Sequence, residues 1–162
     1  MIQRIQSIYL LLVSLLFGVL FSLRIGDFHL IIKDGTKETW NYYLHYILRA
    51  SDGTIIHTNN NTYLTLTAIL IALLSIITIF LYRKRLTQLK LCKLGFFLNI
   101  VFIGLFFFYS DFELKQDNPG STIEIDYGFS VLVPLVTLTL LLLASKAIKK
   151  DEDLVRSADR LR

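Results

Sequence analysis

Four stretches of this chain carry no charged residue, and each is close to the thickness of a lipid bilayer when wound as a helix. They cover residues 5–23 (IQSIYLLLVSLLFGVLFSL), 63–82, 94–109 and 127–145, with lengths of 19, 20, 16 and 19 residues. A bilayer core of roughly 30 Å takes about 20 apolar helical residues, within a range of about 17–25. The third run is short, but Leu91 and Cys92 add apolar length before it and the Lys93 ammonium can extend toward headgroups, so it counts as a span with some mismatch. A soluble chain of 162 residues seldom holds four such runs. The expectation is an α-helical membrane protein with four transmembrane helices. Arg4 before the first run suggests a secretory signal, yet no small-x-small cleavage site lies near Phe21-Ser22-Leu23, and 19 residues exceed the usual signal core of about 7–15. The run is taken as a retained helix.

Removing the spans leaves 88 residues that carry all thirty charges, so the overall 19% charged hides two populations. Cutting at the spans sends twelve Lys and Arg residues to one side: Arg4, five in the RKRLTQLKLCK loop and six after Ser145. The other side receives five, together with nine of the thirteen acids. Positive loops stay cytoplasmic, so both termini and the RKRLTQLKLCK loop are expected in the cytoplasm. The net charge of +4 is then explained by topology and attraction to anionic membrane lipids, and no nucleic acid partner is expected.

The outer segments, residues 24–62 and 110–126, carry turn signals. Asp34-Gly35 separates FHLIIK from TKETW, and Asp52-Gly53 separates YILRAS from TIIHT. Each supplies the positive φ angles of a two-residue hairpin turn. Asp117-Asn118-Pro119-Gly120 divides FELK from STIEIDY, where Phe112 and Leu114, then Ile123, Ile125 and Tyr127, alternate with charged residues. These patterns predict a small β-hairpin cap of up to six strands on the extracytoplasmic side. Trp40, Tyr42, Tyr43 and Tyr46 are expected near the outer interface, where amphipathic rings sit well.

Motifs for chemistry are absent. His29, His45 and His57 lack the i, i+3 or i, i+4 spacing of a helical metal site, and no HExxH or Cys/His cluster exists, so no metal or cofactor is expected. Hairpin pairing of His29 with His57 is the remaining route to one. Cys92 is alone, which excludes a thiol oxidoreductase. The spans hold no ionisable side chain of the kind that proton relays and ion pathways keep. Asn99 is their strongest polar group and is expected to bond another helix, while Pro134 is expected to remove one backbone bond and bend the fourth helix. Small residues recur on one face of the first helix (Ser14, Gly18, Ser22) and of the second (Ala68, Ala72, Ser75), a spacing that lets backbones approach in lipid. These faces are expected to join helices within the bundle or to receive a partner's helix.

The tail at 146–162 reads as an amphipathic helix with Leu154, Ala158 and Leu161 on one stripe, Glu152 and Arg156 paired at i, i+4, and Asp159 three after Arg156. It lies against headgroups or docks, either on another protein or on the chain's own basic loop. The opening MIQRIQSIYLLL and the ending KDEDLVRSADRLR resemble the two ends of an uncharacterised family of small four-helix inner-membrane proteins from Bacteroidota, a domain of unknown function. The resemblance implies a bacterial cytoplasmic membrane and supplies no catalytic residues. It directs attention to Gln3, Arg4 and Gln6 at the start and to Asp151, Glu152, Arg156, Asp159, Arg160 and Arg162 at the end, which share one side and can meet. The expected function is that of a non-enzymatic accessory or scaffolding subunit with protein partners in the inner membrane, envelope biogenesis or protein export being natural hosts. A small-molecule or lipid binder or transporter, with a cavity near Asn99 and Pro134, is the alternative, and an outer-face enzyme built on the histidines comes third.

Overall fold

A computed structural model of the chain describes residues 3–31, 37–51, 54–82, 84–117 and 122–160. Four helices, α1 (Gln3–Leu20), α2 (Thr62–Phe80), α3 (Arg85–Asp117) and α4 (Leu132–Arg160), form a bundle in which α1 packs on α2 and α4, and α3 packs on the same two. One end of the bundle carries an antiparallel sheet of five strands: β1 (Arg24–Ile31), β2 (Lys37–Tyr43), β3 (Tyr46–Ser51), β4 (Thr54–Asn60) and β5 (Thr122–Tyr127). Their order is β4-β3-β2-β1-β5. The hairpin turns at Asp34-Gly35, Asp52-Gly53 and Asn118-Pro119-Gly120 lie outside the described residues. The opposite end gathers the basic loop and the tail.

The helices are apolar both inside and out. Leu10, Val13, Phe17 and Leu20 of α1 meet Leu64, Ala68 and Ile71 of α2, Phe102 and Phe106 of α3, and Leu141, Ala144 and Ile148 of α4 in the core. Leu15, Leu66, Leu73, Phe97 and Leu135 face outward with about half their surface uncovered. Helices that are hydrophobic on every side belong in lipid or in the centre of a much larger protein. Three are long and apolar enough to cross a membrane, and the apolar part of α1, Ile5–Leu20, is shorter.

Three boundaries differ from expectation. Residues 110–117 of the outer segment, with 112–115 expected as a strand, continue α3, which reaches 33 residues, or about 50 Å. Glu113, Leu114, Lys115 and Gln116 are good helix formers, and extending an existing helix carries no nucleation cost. The helix stops at Asp117, just ahead of Asn118, whose place before Pro119 disfavours helical backbone. The fourth span begins later than residue 127, because Tyr127 ends β5 and a 3-10 turn at Phe129–Val131 precedes α4. Pro134 is consequently the third residue of α4, where its missing N–H costs no interior helical bond. The expected kink has no cause there. Finally, the tail is not a separate surface helix: α4 runs unbroken to Arg160, about 43 Å from its start.

The sheet is fastened to the bundle by its own residues. Trp40, Tyr42 and Leu44 alternate inward along and just beyond β2 and are buried, and Tyr42 lies 5.9 Å from the Phe106 ring of α3. Ser130 donates to the Arg24 carbonyl oxygen at 2.6 Å. Gly26 pairs with Tyr127 in the β1–β5 register, and a Cβ at Gly26 would stand 2.6 Å from the main-chain oxygen of Asp126.

Candidate functional site

The small-residue faces divide. On α2, Ala68 and Ser75 are buried and Ala72 packs against the core. On α1, Ser14 is half-buried, Gly18 and Ser22 are exposed, and nothing stands within 4 Å of a Cβ built on Gly18. The inward face of α1 is the bulky one, and the expected contact of Gly18 and Ser22 within the bundle is not made. Asn99 is fully buried on α3. Its amide donates to the Thr137 hydroxyl at 2.9 Å and to the Pro134 carbonyl at 3.3 Å, and Thr137 in turn donates to that same carbonyl at 2.9 Å. The bundle around this level is filled by Phe17, Phe102 and Phe106, the first two meeting edge to face at 5.4 Å. Cys92 is buried, its thiol donating to the Leu141 carbonyl at 3.3 Å.

The cap places its histidines apart. His29 lies on β1 and His57 on β4, three strand spacings or about 14 Å away across the sheet. His45 sits in the β2–β3 turn with its ring centroid 4.1 Å from that of Tyr46 in an edge-on arrangement, and Tyr46 stacks on Tyr43 at 4.8 Å. The strand register sets His29 opposite Glu124 and Asp27 opposite Asp126. Asp27 is ion-paired with Arg24, which also donates to Asn41. Among the described residues, no three His, Cys, Asp or Glu side chains gather to hold a metal.

Polar chemistry concentrates at the basic end. α4 continues its inward spacing Leu141, Ala144, Ile148 by one more step to Asp151, which is 8% exposed. Burying a carboxylate is costly unless it is bonded, and here the Gln6 amide of α1 donates to it at 2.7 Å. Arg85, at the start of α3, donates to the main-chain oxygen of Asp151 at 3.3 Å. Gln88, one turn on, donates to the Thr78 carbonyl at 3.2 Å, which belongs to the last turn of α2 and has no helical donor of its own. The helix ends thus surround a cleft of about 400 Å³ with Gln6, Arg85, Gln88, Ile148 and Asp151 on its walls and Phe80, 77% exposed, at its edge.

Beyond Asp151 the tail stays against the chain's own basic loop. Lys84, Leu86 and Thr87 form a shallow groove with Glu152 and Val155. Arg156 donates to Glu152 at 3.0 Å in the expected i, i+4 pair, while Leu154 is half exposed and off the buried seam. The side chains of Arg4, Ala158, Asp159 and Arg160, together with all of Leu161 and Arg162, lie outside the described residues. The sequence pointed to Gln6 and Asp151 but not to Arg85, Gln88 or Thr137. The 3-4-3 spacing from Leu141 to Asp151 was the available signal, interrupted for a hydrophobic pattern by the carboxylate at its last position.

A family model described as a domain of unknown function (DUF4293) matches residues 2–161. No curated protein matches the chain.

Proposed function

The chain belongs to the DUF4293 family, a domain of unknown function, and from its own geometry we propose that it is a non-enzymatic accessory or scaffolding subunit of a larger complex in a bacterial cytoplasmic membrane. The observation that carries this reading is the rigid extension of α4 past the apolar core, fixed at its root by Gln6 and Arg85 and continuing helically to Arg160. A helix held at its root in this way extends as one continuous charged segment, as a docking element requires. At mid-depth the Asn99 amide N–H and the Thr137 hydroxyl are bonded between and along α3 and α4, the Asn99 Oδ1 is buried with no partner among the described residues, and large aromatic side chains fill the space beside them. That arrangement favours a structural bundle over a transporter with a substrate cavity near Asn99. In this reading both termini are cytoplasmic and the sheet lies outside, in keeping with the distribution of Lys and Arg.

Cross-linking in native membranes followed by gentle-detergent purification tests the proposal. The full chain is expected to recover a reproducible protein partner. Arg156→Glu combined with Arg160→Glu is expected to lose that partner while membrane insertion is unchanged. A chain that remains monomeric with no reproducible partner overturns the proposal, and unchanged recovery by the double variant removes the tail from it.

A further inference from the structure

The cleft at the basic end is lined by opposite charges that do not satisfy one another. The Asp151 carboxylate is more than nine-tenths buried and receives the neutral amide of Gln6, and among the described residues no cation pairs with it. Arg85 is adjacent, yet it donates to the Asp151 main-chain oxygen and not to the carboxylate. Among the described residues this carboxylate has only a neutral donor, an expensive arrangement for a buried charge, and a ligand ammonium would compensate it. The guanidinium beside it keeps further N–H groups suited to phosphate. Lys84, exposed next to Arg85, adds positive charge at the same end. The walls away from these groups are apolar: Ile79 and Ile148 line the cleft, and Phe80 leaves it toward the outer surface of the bundle. The cleft lies where the apolar parts of α1 and α2 terminate, at Ile5 and Phe80, which is the level of lipid headgroups if these helices span.

We propose that this cleft binds the headgroup of an aminophospholipid, phosphatidylethanolamine, with its ammonium on Asp151, its phosphate on Arg85 and an acyl chain running past Phe80. The adjacency of one anion and one cation matches a zwitterion whose ammonium stands two carbons from its phosphate. A carboxylate acceptor also discriminates by chemistry. Ethanolamine offers N–H donors, choline has none, and glycerol carries no positive charge at all. The site does not depend on the protein being a complex subunit, so it stands or falls separately from that reading.

The test uses the full chain, purified in detergent, delipidated and titrated with phosphatidylethanolamine, phosphatidylcholine and phosphatidylglycerol of matched acyl chains, with bound lipid counted by native mass spectrometry. Phosphatidylethanolamine is expected to bind at least about tenfold tighter than phosphatidylcholine, the scale of one hydrogen bond to a charged group. Asp151→Asn is expected to abolish that preference without weakening phosphatidylglycerol, whose net negative charge is no longer repelled by the carboxylate. Arg85→Gln is expected to weaken phosphatidylethanolamine and phosphatidylglycerol together. Ser7 of α1 also lines the cleft, so Ser7→Phe, which fills it with Asp151 intact, is expected to reduce phosphatidylethanolamine binding and decides the matter if Asp151→Asn fails to fold. Equal binding of the three lipids by the unmodified chain overturns the proposal. So does a folded Asp151→Asn variant with its preference retained, or undiminished binding by Ser7→Phe.

Discussion

The Gln6–Asp151 bond joins the first turns of α1 to the extension of α4, and its contribution can be isolated because both partners are almost fully buried. Gln6→Leu removes the donor and leaves the carboxylate in place. A lost hydrogen bond to a charged group costs about 1.5–3 kcal/mol. Asp151→Leu leaves a buried carboxamide without its acceptor, a cost of about 1–3 kcal/mol, while the Arg85 bond survives because it goes to the main chain. Replacing both partners removes both orphans, so the double variant is expected to lie close to the unmodified protein and above either single one. With the double variant near zero, the coupling energy in the cycle equals the sum of the two single costs, about 2.5–6 kcal/mol. At about 2–4 °C per kcal/mol for a chain of this size, the single variants should melt roughly 2–12 °C lower. Unfolding in mixed micelles, followed by far-UV circular dichroism, supplies all four corners of the cycle. A double variant as destabilised as the sum of the singles would refute the argument, because it would show that the two side chains do not depend on each other.

Further outcomes follow from the same geometry. Asn99→Ala and Thr137→Ala should couple by about 0.6 kcal/mol and at most about 1.7 kcal/mol in the same unfolding assay, the range of interhelical bonds in lipid. Phe102→Ala, at a fully buried site packed on Phe17, should leave a cavity and cost about 3–5 kcal/mol, seen as a lower melting temperature. Gly26→Ala sets a methyl group against the backbone of Asp126, so amide protons of β5 should exchange faster with solvent than in the unmodified protein. Cys92 should resist maleimide in the folded bundle and react after unfolding in dodecyl sulfate, since its thiol is buried against the Leu141 carbonyl.

Much of the architecture was legible because the bilayer and the β-turn impose strong local rules. The uncharged runs locate all four helices, and Asp34-Gly35 and Asp52-Gly53 stand between strands that do pair, β1 with β2 and β3 with β4. Where the sequence misled, a short-range pattern competed with a longer-range one. Phe112 and Leu114 alternate as a strand does, but they follow a helix already running from Arg85, and propagation is easier than a change of structure. The inward faces were harder to recognise for a different reason. In a soluble helix the apolar side is the inner side, whereas α1 has Leu10, Val13, Phe17 and Leu20 on one face and Leu11, Leu15 and Val19 on the other, all equally suited to lipid. Hydrophobicity therefore gave no preference for the bulky face over that of Ser14, Gly18 and Ser22.

That ambiguity explains why the polar side chains fall where they do. If lipid and protein interior are equally apolar, dispersion alone fixes the rotation of a helix about its axis only weakly, and a directional bond fixes it strongly. Asn99 sets α3 against α4, Gln88 sets α3 against the end of α2, and Gln6 sets α1 against α4, so these three bonds form a connected series through all four helices. Two of the three lie at the basic end, where water competes with any bond that is not buried, and both are buried. A rotation of α1 by one residue position, about 100° for 3.6 residues per turn, would carry Gln6 away from Asp151 and turn Phe17 out of the core. The bond and the ring thus select the same orientation of α1. It is this agreement between a polar contact at one end and an apolar contact at mid-depth that lets an otherwise uniformly greasy helix adopt one position.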